Sequence, residues 1–342
     1  MSAIALPIPP QSIVHLIRTM ADKGGRILAI THEAPDGDAI GSLAAFGHMA
    51  TRLGIDMRLY CESPLPEHLN WLNIPIPICS TLPTLLGDAP WLPDGIVFLD
   101  CADNTRAGEA AFRYVAAAKA RGAVTVCIDH HISNQGFADN NWILPAAPAT
   151  GILVASLAGA LGFELSGDLG EAIYLAVVSD TGSFTYSNTS AEALAVAANI
   201  VGEGFSVADF TQKYENNWSL KRMHLWGQLM SEVTLVCDGL VVVSIITDDH
   251  LKRFGVSDTD LEGFASWLRR LAGVKVVLVS RVSDRGAKVN LRSMGDTDVQ
   301  AIATQFGGGG HAGAAGVDIA ADPKIAADMV LQAICSAIGA PA

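Results

Sequence analysis

Histidine and aspartate side chains are concentrated in residues 31–42, which read Thr-His-Glu-Ala-Pro-Asp-Gly-Asp-Ala-Ile-Gly-Ser. The carboxylates of Asp36 and Asp38, two residues apart, repel each other unless a positive charge lies between them. With the imidazole of His32 they form a ligand set that suits Mn²⁺ or another borderline divalent cation better than Ca²⁺. A polar turn whose aspartate caps the following helix is the alternative. The segment alone leaves metal binding and capping evenly balanced.

Other acidic and imidazole residues also follow predicted secondary-structure elements. Asp100 directly follows the apolar run 95–99, and the triplet Asp-His-His at 129–131 follows the apolar run 123–128. Asp180 follows a helical stretch and has small, turn-forming neighbours. Three adjacent polar residues after an aliphatic strand cannot all be buried without partners. The repetition of this arrangement favours metal binding over a set of isolated turns and caps.

These residues are embedded in a pattern of alternating strands and helices. The predicted strands cover 26–30, 57–61, 95–99 and 123–128, the predicted helices cover 11–22, 39–53, 108–121, 150–161, 168–178 and 190–201, and a Pro-rich connector covers 64–93. Such alternation predicts βαβ units and a parallel sheet. Open parallel sheets bind ligands at the carboxyl edge of their strands. We therefore expect the candidate residues at one edge of one sheet.

The pattern changes in the second half of the chain. Residues 207–231 predict a helical linker between a first domain at 1–206 and a second domain at 232–342. In the second domain the predicted strands are 234–237 and 240–246, which form a hairpin, followed by 274–282 and 287–292, and the predicted helices are 261–271 and 298–306.

Four consecutive glycines at 307–310 precede His311. A glycine tract is usually a flexible link. Here an apolar segment follows directly, which favours a rigid loop whose backbone N–H groups approach an anion closely.

Composition limits the class of protein. The 342 residues are 50% hydrophobic, and the longest apolar run, 146–161, is too short and too rich in Ala, Gly and Pro to span a bilayer. The six cysteines include no Cys-x-x-Cys pair, and most are predicted to be small buried hydrophobic residues in a reducing cytoplasm. The net charge of −13 argues against long nucleic acid as a ligand. We expect a cytoplasmic protein without a membrane partner.

Taken in chain order, the motifs resemble those of one family. Residues 32–38, Asp100, residues 129–131 and residues 179–182 are similar to the four metal-site motifs of the DHH phosphoesterase superfamily. Residues 288–293 and 307–316 resemble the substrate-binding signature of its DHH-associated C-terminal domain. The resemblance covers nearly the whole chain and is strongest to the stand-alone nanoRNase group, the bifunctional oligoribonucleases and 3′-phosphoadenosine-5′-phosphate (pAp) phosphatases.

The resemblance implies an α/β fold in two lobes. The N-terminal lobe, the DHH domain, would contain a mainly parallel sheet flanked by helices, and the smaller α/β C-terminal lobe would be the DHH-associated domain, with the active site in the cleft between them. It also implies two Mn²⁺ ions per site. The implied metal ligands are His32 and Asp36 for one ion, Asp38, His130 and Asp180 for the other, and Asp100 as the bridge.

Further roles are implied around these ligands. His131 would act with Asp100 in catalysis and face the scissile phosphate, and Asp129 would orient His130. Asp103 competes for the bridging position, but Asp100 directly ends its strand and is preferred. The implied substrate-binding residues in the second lobe are Arg292, Ser293, Gly308, Gly309, Gly310 and His311.

The implied function is Mn²⁺-dependent hydrolysis of short RNA oligonucleotides and linear dinucleotides to mononucleotides, with pAp as a second substrate and two metals activating water. A phosphodiesterase for cyclic or linear dinucleotide second messengers is the enzymatic alternative. A catalytically silent nucleotide-binding sensor is the alternative from another class, although every implied metal position retains a competent side chain. The expected partners are short RNA or dinucleotides, and a homodimer is left open.

Overall fold

A computed structural model describes residues 4–85 and 90–340. The chain divides into two compact units between Asn217 and Trp218. The predicted linker contains two helices that belong to different units, because Phe210 packs in the core of the first unit whereas Leu225 packs in the second.

A six-stranded, all-parallel sheet forms the centre of the first unit, with the strand order β3-β2-β1-β4-β5-β6. Its strands are β1 (Arg26–Ile30), β2 (Asp56–Tyr60), β3 (Ile78–Cys79), β4 (Gly95–Leu99), β5 (Val124–Asp129) and β6 (Asn140–Ile143). The helices of this unit are α1 (Gln11–Lys23), α2 (Gly37–Arg52), α3 (Glu109–Lys119), α4 (Thr150–Leu161), α5 (Gly167–Thr181), α6 (Ala191–Gly202) and α7 (Val207–Tyr214). The parallel α/β architecture predicted from the sequence is confirmed.

Both faces of the central strands are buried, which explains why they read as continuous apolar runs. On one face Ala29 and Val97 pack in the core that contains α2, α4 and α5. On the other face Leu28 and Phe98 pack against α3.

The two edge strands β3 and β6 were not predicted. β3 has only two residues and lies within the Pro-rich connector, of which residues 86–89 are outside the described part of the chain. β6 begins with two asparagines and is only partly buried, so it lacks an apolar run. Edge strands bury fewer side chains than central strands, and hydrophobic periodicity therefore identifies them poorly.

The second unit contains a mixed sheet with the strand order β11-β12-β10-β9-β8-β7, in which only β8 and β9 run parallel. Its strands are β7 (Thr234–Val236), β8 (Val241–Ile246), β9 (Val276–Ser283), β10 (Gly286–Ser293), β11 (Gly309–His311) and β12 (Ala314–Ile319). Its helices are α8 (Leu220–Glu232), α9 (Asp248–Phe254), α10 (Phe264–Leu268), α11 (Val299–Thr304) and α12 (Pro323–Ile338). The hairpin of β7 and β8 agrees with the prediction, whereas α9 and α12 were not predicted.

The glycine tract is part of this second sheet, so the flexible-link interpretation is wrong. Gly309 and Gly310 belong to β11, which pairs with β12. A Cβ on Gly308 would lie 2.6 Å from the Cβ of Val317, and Gly310 has a φ of +140° with the Ala315 Cα 2.7 Å from its own Cβ position. Glycine is required at both positions because any side chain would collide with β12.

Cysteine pairing also differs from the prediction of small buried thiols. Cys237, in the β7–β8 turn, and Cys335, on α12, form a disulfide with their Cα atoms 6.5 Å apart. The other four cysteines are free, and only Cys79 among them is exposed.

Within the described residues, no single helix combines the length and the apolar composition needed to cross a membrane, although the bent pair of α6 and α7 meets both requirements together.

Candidate metal centre

Three parallel strands deliver the candidate residues to the same edge of the first sheet. Ile30 of β1 pairs with Phe98 of β4, and Leu99 of β4 pairs with Ile128 of β5. The residues that follow these strands therefore emerge side by side, as the sequence predicts. Asp100 adopts a φ of +55°, and its backbone N–H donates to the Ile128 carbonyl at 3.1 Å, so the chain turns sharply where this carboxylate leaves the sheet.

Asp36 caps α2, so the capping alternative is also realised. Its Oδ1 accepts hydrogen bonds from the backbone N–H groups of Asp38 and Ala39, both at 3.1 Å. Capping and metal binding are compatible because a carboxylate has a second oxygen. The helix begins at Gly37, two residues earlier than predicted, which puts Asp38 in its first turn.

Asp38 is fully buried and is held by hydrogen bonds from two helices. Its Oδ2 accepts from the backbone N–H of Thr150 at 2.6 Å, and its Oδ1 accepts from the backbone N–H of Gly151 at 2.9 Å. The hydroxyl of Ser42 donates to Oδ1 at 3.1 Å. The amino end of α4 thus satisfies a carboxylate that would otherwise be costly to bury.

Asp180 reaches the centre from a helix and not from a strand or a turn. It lies in the last turn of α5, which extends three residues beyond the predicted end. The helices α2 and α5 can approach closely because Gly41 has no side chain. A Cβ at this position would lie only 2.5 Å from the Ala172 carbonyl oxygen. This close packing brings the Asp180 carboxylate to 3.2 Å from the His130 Nε2.

Two imidazoles have the tautomer that a metal ligand requires. Nδ1 of His32 donates to the Glu33 carbonyl at 2.7 Å, and Nδ1 of His130 donates to the Ala147 carbonyl at 3.1 Å. A carbonyl can only accept, so in the neutral ring the lone pair is on Nε2. In both residues Nε2 faces the carboxylates.

Several overlapping groups of three carboxylate or imidazole side chains have ligand atoms within 4.8 Å of one another and could hold a metal ion, and two of them share no residue. One group is His32, Asp36 and Asp100, and the other is Asp38, His130 and Asp180. Asp100, a member of the first group, also faces the second, since its Oδ2 is 3.5 Å from the His32 Nε2 and its Oδ1 is 3.6 Å from the His130 Nε2.

The electrostatics of the centre fit bound cations. Burial opposes the protonation of His32, yet the hydrogen bond to Asp100 and the charge of Asp36 raise its pKa to about 9. Burial also opposes the protonation of His130, but Asp180 and Asp100 raise its pKa well above the usual value. Burial and the charges of Asp100 and Asp180 raise the pKa of Asp38. Protons are retained because the carboxylates outnumber the imidazoles, and divalent cations would replace them.

His131 has a different partner from the one predicted. Asp129 was expected to orient His130, but its Oδ1 accepts from Nδ1 of His131 at 2.7 Å. The prediction is wrong because His130 is already bound by the Ala147 carbonyl. Asn134 completes the arrangement by donating to the Asp129 Oδ2 at 2.7 Å.

Asp103 lies apart from this arrangement. Its Oδ1 accepts from the backbone N–H groups of Thr105 at 2.8 Å and Arg106 at 3.2 Å, so it stabilises its own loop.

The predicted substrate-binding residues are neighbours within the second unit. Arg292 is the penultimate residue of β10 and pairs with Ala314 of β12, which pairs in turn with His311. The Nε of Arg292 donates to the Ser266 hydroxyl at 3.2 Å. Ser293 is buried, and its hydroxyl donates to the Ala312 carbonyl at 3.2 Å, which ties β10 to the glycine-rich hairpin.

Three residues of the centre were missed from the sequence, namely Ser42, Asn134 and Thr150. Each hydrogen-bonds to a candidate carboxylate. Ser, Asn and Thr are common in turns and at helix starts, so their types carried no signal. Only the three-dimensional structure gives them their partners.

Comparisons with known proteins agree with this organisation. Residues 26–177 match the DHH family, N-terminal domain, and residues 238–340 match the DHHA1 domain. A bifunctional oligoribonuclease and PAP phosphatase NrnA of Thermus thermophilus is 30% identical over 91% of this chain and 89% of its own length. The NrnA of Bacillus subtilis is 27% identical over 58% of this chain and 63% of its own length.

Solved structures share the fold. An exopolyphosphatase-related protein from Bacteroides fragilis superposes with a TM-score of 0.81 at 24% identity, covering 95% of both chains. RecJ from Thermus thermophilus in complex with Mn²⁺ superposes with a TM-score of 0.53 at 14% identity, covering 97% of this chain and 56% of RecJ. The motif order, the two matching domains and the NrnA relative lead to one conclusion: the chain belongs to the DHH phosphoesterase superfamily.

Proposed function

We propose that this phosphoesterase is a Mn²⁺-dependent enzyme that hydrolyses short RNA oligonucleotides and linear dinucleotides to mononucleotides, with pAp as a second substrate. The observation that carries the proposal is the pair of separate three-residue ligand groups, one of which contributes Asp100 with an oxygen that also faces His130 of the other. The names of the NrnA relatives support the substrate class, since they describe an oligoribonuclease and a PAP phosphatase.

The proposed ligands are His32, Asp36 and Asp100 for one ion and Asp38, His130, Asp180 and Asp100 for the other. The pairing of imidazole nitrogen with carboxylate supports a borderline cation such as Mn²⁺ over Ca²⁺. RecJ, which has the same fold, has been solved with Mn²⁺. When bound, two such ions lower the pKa of a water and stabilise the attacking and leaving oxygens of an in-line displacement.

We assign His131 to the scissile phosphate. Burial opposes its protonation, but the hydrogen bond to Asp129 and the charges of Asp100 and Asp129 raise its pKa above the usual value. A protonated ring whose Nδ1 is held by Asp129 can offer a proton at Nε2 to a phosphate oxygen. Asp129 keeps the Nδ1 proton in place, and Asn134 fixes Asp129.

We further propose that Arg292, Ser293 and residues 308–311 of the second unit bind the substrate. Arg292 supplies a charged donor that can grip a phosphate. Ser293 acts through its hydrogen bond to the loop backbone, because its hydroxyl is occupied there. The net charge of −13 leaves no general attraction for a long strand, which supports a short substrate.

The test is hydrolysis, with Mn²⁺, of a substrate panel. The panel contains RNA of two to ten nucleotides, linear and cyclic dinucleotides, pAp and pyrophosphate. The proposal predicts the highest rates with 5′-phosphorylated dinucleotides and other short RNA, and measurable release of phosphate from pAp. Exclusive cleavage of cyclic dinucleotides would establish the second-messenger alternative. Binding of nucleotides without any hydrolysis would establish the silent sensor.

A further inference from the structure

Thr150, the first residue of α4, contacts carboxylates from both ligand groups. Its hydroxyl donates to the Asp100 Oδ1 at 3.0 Å, and its backbone N–H donates to the Asp38 Oδ2 at 2.6 Å. The residue is fully buried. The side chain and the peptide group of Thr150 thus connect Asp100 of the first group with Asp38 of the second.

This arrangement differs from ordinary helix capping. A capping side chain accepts a hydrogen bond from an N–H group of its own helix. The Thr150 hydroxyl instead donates to Asp100, fifty residues away in the sequence and on a different element. The local stability of α4 therefore gives no reason for a hydroxyl at this position.

The hydrogen bond constrains how Asp100 can turn. The Asp100 Oδ1 accepts the hydrogen bond from the Thr150 hydroxyl and also faces His130, while the Asp100 Oδ2 faces His32. If Asp100 holds one cation with each oxygen, the plane of its carboxylate has to keep this orientation. Without the hydroxyl, the plane of the Asp100 carboxylate could rotate away from that orientation.

We propose that Thr150 is a positioning residue that fixes Asp100 between the two metal ions. The inference rests on the metal assignment of the proposed function. Hydrogen-bond partners of metal ligands typically change metal affinity or activity about 10- to 100-fold when they are removed. A loss of this size in Mn²⁺ affinity is expected when the hydroxyl alone is deleted.

The experiment compares four full-length proteins stripped of metal: the wild type, Thr150→Val, Thr150→Ser and Thr150→Ala. Valine matches threonine in shape but lacks the hydroxyl, and serine and alanine differ from each other only by the hydroxyl. Mn²⁺ affinity is measured by calorimetry without substrate. Melting temperatures and hydrolysis of a 5′-phosphorylated dinucleotide at saturating Mn²⁺ are recorded in parallel.

The expected result is that valine and alanine weaken Mn²⁺ binding about 10- to 100-fold, whereas serine stays near the wild type. If the valine variant does not fold, the serine and alanine pair decides the question. Equal Mn²⁺ affinity with and without the hydroxyl would overturn the role of Thr150, even in an enzyme that hydrolyses short RNA. A wild type that binds Mn²⁺ but cleaves no phosphoester would refute only the proposed function. A wild type that binds no Mn²⁺ would refute both.

Discussion

Replacing Asp100 with asparagine tests the centre with little disturbance of the fold. Asparagine has the same shape, and it tolerates the left-handed conformation that Asp100 adopts at a φ of +55°. Alanine would be a poorer choice, because the left-handed region costs an ordinary residue roughly 1–2 kcal/mol. The substitution therefore removes a charge and an acceptor while the backbone is preserved.

The surroundings of Asp100 show what the substitution would remove. Asp100 lies 3.5 Å from the His32 Nε2 and 3.6 Å from both the His130 Nε2 and the His131 Nδ1. Burial favours its neutral acid, but the hydrogen bond from His32 and the charges of His131 and His130 lower its pKa, so the group is ionised at neutral pH.

A hydrogen bond to a charged group is worth about 1.5–3 kcal/mol, and we use this value for the contact between the Asp100 carboxylate and a cation. At about 1.4 kcal/mol for each factor of ten, this corresponds to a loss of roughly 10- to 100-fold in metal affinity. Removing one preorganised electrostatic group typically lowers kcat by about 10²–10³. We expect Asp100→Asn to lose at least that much turnover, even with excess Mn²⁺.

Asp103→Asn is the matched control, because the same change is made three residues away in a carboxylate that binds its own loop. Bound Mn²⁺ is measured by elemental analysis, turnover with a dinucleotide, and folding by circular dichroism. The control should keep its metal and its activity. Full activity and metal content in Asp100→Asn, with loss in Asp103→Asn, would show that the bridging carboxylate has been misassigned.

Three further predictions concern substrate and stability. Arg292→Ala should raise KM for short RNA, since a charge-assisted phosphate contact is worth about 1.5–3 kcal/mol, and should leave bound Mn²⁺ unchanged; loss of metal instead would contradict its assignment to substrate. Initial rates on end-labelled RNA should fall steeply beyond about five nucleotides, because long strands need a basic track with aromatic platforms; a flat profile would favour a processive nuclease. Lys119 and Thr125 hold the pKa of Asp139 at about 2, below its usual value of 3.8, so Asp139 stabilises the fold above about pH 4 and loses this effect as the pH falls towards 2. Asp139→Asn should therefore cost about 1 kcal/mol at pH 7, a value reduced for solvent exposure, and the difference from the wild type in urea unfolding should vanish between pH 4 and pH 2; a difference that persists at pH 2 would contradict the ion pair.

The sequence was most informative where acidic or imidazole residues directly follow a buried strand. The strands β1 and β4 were predicted residue for residue, because short aliphatic runs bounded by polar residues are characteristic of buried parallel strands. Asp100 and residues 129–131 then had to lie at one edge. The order of these motifs along the chain was enough to identify the family.

Contacts between distant segments were not predictable in this way. The partner of Asp38 on α4 lies 112 residues further along the chain. The predicted partner of Asp129 was wrong because the sequence Asp-His-His does not show which of the two adjacent histidines the carboxylate faces. The short distance between Asp180 and His130 depends on the close packing of α2 and α5. Small residues allow such packing, but their presence in the sequence does not predict it.

Titration of the metal-stripped protein with Mn²⁺ tests the central claim most directly. Bound Mn²⁺ and the rate of hydrolysis of a 5′-phosphorylated dinucleotide are measured on the same samples. We predict no hydrolysis without metal and a rate that reaches its plateau when about two ions are bound per chain, the number that acts in two-metal phosphoester hydrolysis. Full activity in the presence of a chelator, or a plateau reached without bound Mn²⁺, would contradict the account.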